Sequence, residues 1–285
     1  VGVAVRRFET VTIVGVGMIG GSIGMALRGS RLAEKVIGVG RRQSSLRAAR
    51  EAGAVDHATI DLAKGVAEAE LVIVCSPVER IVGHVREAAE NCRRGTLLTD
   101  AGGTKESIVD ALQGGLARDC RFLGGHPLAG SEKAGAANAR ADLFEGKLAV
   151  LTPTSATRAE DYDTLEQFWG KLGSLVVRMS AGDHDRAMGL TSHLPHAVAV
   201  ALASSLPEEF FRLTGTGFRD TSRLAAGETT LWEQVFTLNR DNVLDALEQF
   251  GRHLEALTRA VREDDRTALE EILNRAKITR DALGS

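Results

Sequence analysis

What this chain lacks narrows its function before any motif is read. Its three cysteines, Cys75, Cys92 and Cys120, are odd in number, fall in different predicted elements and show neither CxxC nor metal-ligand spacing. They read as buried thiols in a reducing compartment, with neither a disulfide framework nor a metal site indicated. Basic charge is not in excess: 35 Lys and Arg against 38 Asp and Glu give a formal net charge of −3. Such a surface does not attract phosphate backbones, so nucleic acid is not an expected partner and acidic small molecules must be met by local positive charge. No apolar run approaches membrane-spanning length, and Arg6 and Arg7 lead into a short strand without the apolar core of a signal peptide. A cytoplasmic protein without membrane contact is expected. Internal repeats and low-complexity segments are also missing.

What is there is a globular composition, with 44% hydrophobic and 26% charged residues in a chain of 285, enough for two domains. To about residue 178, β-branched runs alternate with helical stretches, which is how parallel βαβ units read. Strands are expected at 11–14, 36–39, 71–75, 96–99, 121–123, 147–151 and 175–178, several of them apolar at consecutive positions as in a sheet covered on both faces. Residues 45–52, closed by Gly53, and 79–91 suit crossover helices. Beyond Arg178 the strand signal stops. There Leu244, Leu247, Phe250, Leu254, Leu257 and Val261 recur every three or four residues on one helix stripe. The expected fold is α/β: a Rossmann-like dinucleotide-binding domain over 1–178, then an all-helical domain over 179–285. The stripe exceeds what so small a domain needs, which leaves a subunit interface and intradomain packing as alternatives.

The first strand runs directly into Gly15-Val16-Gly17-Met18-Ile19-Gly20, followed by the small residues Gly21, Ser22, Gly24 and Ala26. In this setting GxGxxG marks a dinucleotide site: Gly15 permits the tight turn, Gly17 admits a pyrophosphate, and Gly20 packs the helix onto the sheet. The acidic residue that holds the ribose of NAD at the end of the second strand is absent; Gly40-Arg41-Arg42 stands there instead. Two guanidinium groups and no carboxylate favour a 2′-phosphate, so NADP is expected over NAD, with solvent-facing arginines as the alternative. By fold analogy Ser76 and Pro77, after the third strand, fall near the nicotinamide half.

Residues 124–132 read Gly-Gly-His-Pro-Leu-Ala-Gly-Ser-Glu. Glycines let the backbone come close to a ligand, Pro127 stiffens the exit, and His126 between them is either an acid/base group or an incidental turn histidine. His193 and His196 are three apart, as on one helix face, with Pro195 between them implying a kink or a helix start. They lack a third metal ligand, so zinc is not expected.

Together the fingerprint from Gly15 to Gly20, the segment Asp100-Ala-Gly-Gly-Thr-Lys105, the block from Gly124 to Glu132, Ser192-His-Leu-Pro-His196, and the pair Asp220 and Arg223 resemble the prephenate/arogenate dehydrogenases over nearly the whole chain. The resemblance implies NAD(P)-dependent oxidative decarboxylation in tyrosine biosynthesis and a homodimer formed through the helical domain. It makes His126 the acceptor of the substrate hydroxyl's proton and Arg223 the anchor of a substrate carboxylate. Ser131, Ser192, His196, Asp220 and Trp232 fall on positions of the family's substrate pocket. Glu132 beside that pocket either pairs with the amino group of arogenate, disfavouring prephenate, or faces solvent or the partner subunit.

One further absence matters. Many relatives carry a serine where this chain has Gly103, so the hydroxyl that helps orient the catalytic histidine is missing and Thr104 is the candidate replacement. Neither a regulatory domain nor a fused mutase is expected, so any tyrosine inhibition is expected at the active site or dimer interface. Two rival readings stand beside this one. A β-hydroxyacid-type NADP dehydrogenase generally relies on a helix-borne lysine, and the helical region offers only Lys277. A non-catalytic NADP(H)-sensing dimer does not need His126, His196 and Arg223 together.

Overall fold

The computed structural model describes residues 6–130 and 135–284. Strands β1 (Phe8–Val14), β2 (Ala33–Val39), β3 (His57–Thr59), β4 (Leu71–Val74), β5 (Leu97–Asp100), β6 (Arg121–Pro127), β7 (Leu148–Thr152) and β8 (Leu175–Arg178) form one sheet in the order 3-2-1-4-5-6-7-8. Helices α1 (Met18–Ser30), α2 (Gln43–Glu51), α3 (Leu62–Val66), α4 (Val78–Asn91), α5 (Glu106–Leu112) and α6 (Ala159–Lys171) connect them. The order 3-2-1-4-5-6 is that of dinucleotide-binding sheets, whose ligand lies at the carboxyl ends of the strands where the order reverses beside β1.

Consecutive apolar residues in the strands serve opposite faces. In β4, Leu71 and Ile73 join a core with Val11, Ile13, Ile23 and Trp169, whereas Val72 and Val74 join another with Ile81, Val85, Leu98 and Ile108. Each fully buried side chain of this size contributes about 1.5–3 kcal/mol, so both faces must be covered for such strands to be stable.

Two departures from the expected sheet are local. The three-residue strand β3 carries no apolar run and is specified by its pairing to β2 through Ile37 and His57. The expected parallel pattern also breaks once, because β7 pairs antiparallel with β6, Gly124 facing Thr152 and His126 facing Val150. A parallel neighbour needs a crossover, and the described part of the connection from β6 to β7 holds only the short helical turn Ala136–Asn138.

After β8 the described elements are helical, as expected. Helix α7 (Ala181–Met188) passes through a π-helical turn, Gly189–His193, into α8 (Leu194–Ser204), so Pro195 lies in the first turn of α8, directly after an irregular turn, as the kink or helix start expected there. Then come α9 (Thr216–Ser222), the turn Arg223–Ala226 and α10 (Thr229–Leu238). By compactness the chain divides after Asn239. The second unit is a helical hairpin of α11 (Arg240–Arg262) and α12 (Arg266–Ala282). Asp265 caps α12 by accepting the Ala268 N–H at 3.0 Å.

Candidate active site

At the carboxyl ends of β1, β2 and β4 lies a cavity of about 460 Å³ whose wall includes Gly15, Gly17, Arg41, Arg42, Ser76 and Pro77. Gly15 has φ +99°, a backbone region that side chains rarely adopt, and a Cβ at Gly20 would run into the Gly15 carbonyl oxygen. A Cβ at Gly17 would meet nothing, so the N-terminus of α1 opens onto the cavity, without an acidic residue in its first turn. That is an anion cradle, and it fits a dinucleotide pyrophosphate. Arg80 and His84 of α4 also line the cavity, and His84 Nδ1 lies 2.9 Å from Ser76 Oγ. Sequence reasoning missed both; their spacing of four along a helix was the available signal.

Met18 and Ile19 face another way. A Cβ at Gly130 would stand 3.3 Å from Met18 Cε and 3.8 Å from Ile19 Cδ1, which brings the segment leaving β6 over the first turn of α1. His126 stands near the carboxyl end of β6, four residues before Gly130. It is part-buried, and its Nδ1 lies 2.8 Å from His184 Nε2. His184, fully buried on α7, presents Nδ1 to Asp185 Oδ1 at 2.7 Å. Asp185 Oδ1 also accepts the Lys105 N–H at 2.7 Å and its Oδ2 the Glu106 N–H at 2.9 Å, so the carboxylate is fixed by the start of α5.

This order of bonds sets the tautomers. A carboxylate only accepts, so His184 donates from Nδ1 and keeps the lone pair on Nε2. His126 therefore donates from Nδ1, and its Nε2 holds the lone pair of a base. Burial first, then the neighbouring His184, Lys105 and His193, holds the His126 imidazole well below its usual range, so it stays neutral at physiological pH. Thr104 does not take over from the missing serine: its hydroxyl is buried without a hydrogen-bond partner, and His184 orients His126 instead.

Beneath His126 lies a fully buried ion pair, Lys105 Nζ with Asp100 Oδ2. Asp100 also accepts the Gly102 N–H at 2.8 Å and the Gly125 N–H at 3.1 Å, which ties the turn after β5 to the residue preceding His126. Buried charges are tolerated only when paired and hydrogen-bonded, and both partners here meet that condition.

The helical side continues the cluster. Asn239 Nδ2 donates to the Asp185 carbonyl at 2.7 Å and reaches His193 Nδ1 at 3.0 Å. His193 is buried and held at about 4 chiefly by that burial, which makes it a neutral structural acceptor. His196 stacks on Trp232 with centroids 3.6 Å apart and planes 10° from parallel, and its Nδ1 is buried without a partner. A Cβ at Gly227 would collide with both rings. Ser192 is half-buried in the π-helical turn. Asp220 on α9 and Arg223 at the start of the next turn are exposed, in elements that pack on α8. Ser131 and Glu132 lie outside the described residues. Lys277, the lysine that a β-hydroxyacid mechanism would require, is exposed on α12 and paired with Asp281 at 2.6 Å. No group of three or more potential metal ligands occurs among the described residues. No described helix is long and apolar enough to cross a membrane.

Comparison with known proteins adds to this geometry. Residues 23–178 match the family described as prephenate dehydrogenase, nucleotide-binding domain, and residues 180–275 match prephenate dehydrogenase, dimerization domain. The prephenate dehydrogenase of Bacillus subtilis is 32% identical over 96% of this chain and 76% of its own length. A crystal structure of prephenate dehydrogenase from A. aeolicus, in complex with hydroxyphenyl propionate and NAD+, superposes with a TM-score of 0.90 at 32% identity, covering 96% of this chain and 98% of that one. Synechocystis arogenate dehydrogenase follows with a TM-score of 0.80 at 29% identity, over 96% of this chain and the whole of that one.

Proposed function

The chain belongs to the prephenate dehydrogenase family, and from that premise we propose how its residues divide the work of oxidatively decarboxylating prephenate or arogenate. The reaction removes a hydride from the ring carbon bearing the hydroxyl, takes the hydroxyl proton and releases the ring carboxylate as carbon dioxide, leaving an aromatic product for tyrosine biosynthesis. NAD(P)+, when bound, supplies the hydride acceptor.

His126 takes the hydroxyl proton at Nε2. The hydrogen-bond chain from Asp185 through His184 to His126 carries this reading, because it fixes the lone pair on that atom and stabilises the imidazolium formed in the transition state. Arg223 holds a substrate carboxylate, as a planar two-pronged donor can. His196 on its Trp232 platform, with Ser131, Ser192 and Asp220, completes the substrate side. Residues 179–285 serve as the substrate and dimerisation domain, and a homodimer through its helices is supported by the exposure of Leu244, Leu247, Leu254 and Val261.

NADP is the favoured cofactor. Arg41 and Arg42 line the cradle where a carboxylate would select NAD, and Arg80 adds positive charge to the same wall. Following nicotinamide reduction with prephenate or arogenate, paired in turn with each cofactor, tests the whole reading. Turnover is expected with at least one substrate and with kcat/KM about tenfold higher for NADP+, reduced in Arg41→Ala. Equal use of NAD+ would overturn the preference, and no turnover in any pairing would overturn the assignment.

A further inference from the structure

Two of the cysteines that looked unrelated in sequence meet in the fold. Cys92, just past the end of α4, and Cys120, just before β6, place their Sγ atoms 3.4 Å apart, both buried and both free thiols. Neither belongs to the cofactor cradle or to the His126 cluster. Cys120 is also part of the wall of a separate cavity of about 150 Å³, bordered by Val109, Leu112, Leu116, Phe122 and Thr152. A molecule the size of hydrogen peroxide fits such a space.

From the pair and its cavity we propose that Cys92 and Cys120 are a modification site: hydrogen peroxide entering the cavity converts them to a reversible intramolecular disulfide. The Cys120 thiolate attacks one peroxide oxygen, the O–O bond breaks, and the products are a sulfenic acid and hydroxide. The Cys92 thiol then attacks that sulfur and expels the oxygen as water. In total two thiols lose two electrons and two protons, and one peroxide becomes two waters. The sulfurs need approach by only about 1.4 Å to reach disulfide bonding distance.

Burial, with the Cys92 thiol alongside, pushes the Cys120 thiol up to about 11. The reaction is therefore slow at neutral pH and speeds up about tenfold per pH unit below that value. The bond staples the end of α4, which begins at the cofactor cavity, to the start of the strand that carries His126. It closes residues 92–120 into a loop, the stretch that contains Asp100 and Lys105.

The test treats the full chain with hydrogen peroxide at about pH 7.5 and about pH 8.5, alkylates it under denaturing conditions and maps unreduced peptides by mass spectrometry. A linked Cys92–Cys120 peptide pair, lighter by two hydrogens and released by dithiothreitol, is expected, formed about tenfold faster at the higher pH while Cys75 remains alkylated. The oxidised chain should melt about 5 °C higher and return on reduction. Cys92→Ser should give no link and leave Cys120 as sulfinic acid; because the wild-type map decides the matter alone, a folding defect in that variant does not blunt the test. Three alkylated thiols after prolonged exposure, a link to Cys75, a link between chains, or a melting point that does not rise overturns the proposal.

Discussion

In the proposed mechanism His126 owes its base character to His184, 58 positions later in the chain. Replacing His184 by Leu removes the acceptor for the His126 Nδ1–H and should lower kcat about 100-fold without changing cofactor Kd, whereas His184→Gln, which keeps an acceptor there, should recover most of the loss. A purely structural residue would lower the two variants alike. His193 makes a different, thermodynamic prediction. It is neutral in the fold and accepts from Asn239, so the folded chain resists protonation down to about 4. The unfolded chain takes that proton below about 6.5, so stability should fall as pH drops from about 6.5 to about 4, by ~3 kcal/mol for this residue. Urea melts at the two ends of that window should show the fall, and His193→Gln should make it shallower by about that amount, leaving the part that His126 contributes. His126 was legible in the sequence because glycine and proline frame it, but His184 was not. Within Asp183-His184-Asp185 it reads as part of a solvated helix end, and only the fold turns it inward.

Among the elements, the π-helical turn between α7 and α8 governs which side chains meet. It places His184 against His126 while His196 stacks on Trp232, two tasks on one continuous helix. π-Turns carry one residue more than an α-helix needs, so deleting Leu190 should rotate α8 by about 100° relative to α7. Turnover should then fall at least about 100-fold while cofactor binding, seated on α1 and β2, stays unchanged in fluorescence titration. The strands with long β-branched runs were readable because a doubly covered strand is apolar at consecutive positions rather than at alternate ones. β3 was not, since three residues of His-Ala-Thr leave no periodicity to read. The antiparallel return of β7 was hidden for another reason: strand direction depends on whether the connection holds a crossover helix, and residues 128–147 are ambiguous in composition.

For the whole molecule, the sequence motifs were sufficient for fold class and family because each is a local pattern, such as the glycine turn after the first strand or the histidine framed by glycine and proline. What they left out is long-range pairing, such as the Asp100–Lys105 ion pair under His126 and the meeting of Cys92 with Cys120. Assembly belongs to this scale too. Leu254 and Val261 on α11 are 51% and 63% exposed in the single chain, more than an isolated subunit gains from leaving in water. A Leu254→Glu, Val261→Glu double variant should shift the chain from dimer to monomer in analytical ultracentrifugation; an unchanged sedimentation coefficient would place the interface elsewhere. In the proposed reaction His126, held neutral and oriented by His184 and Asp185, is the base of an oxidative decarboxylation. That role is tested most directly by measuring kcat/KM and cofactor Kd for His126→Asn beside the wild type. A loss of about 10³-fold or more in kcat/KM is expected, with Kd unchanged within about twofold. A variant that keeps more than about a tenth of wild-type kcat/KM would contradict it.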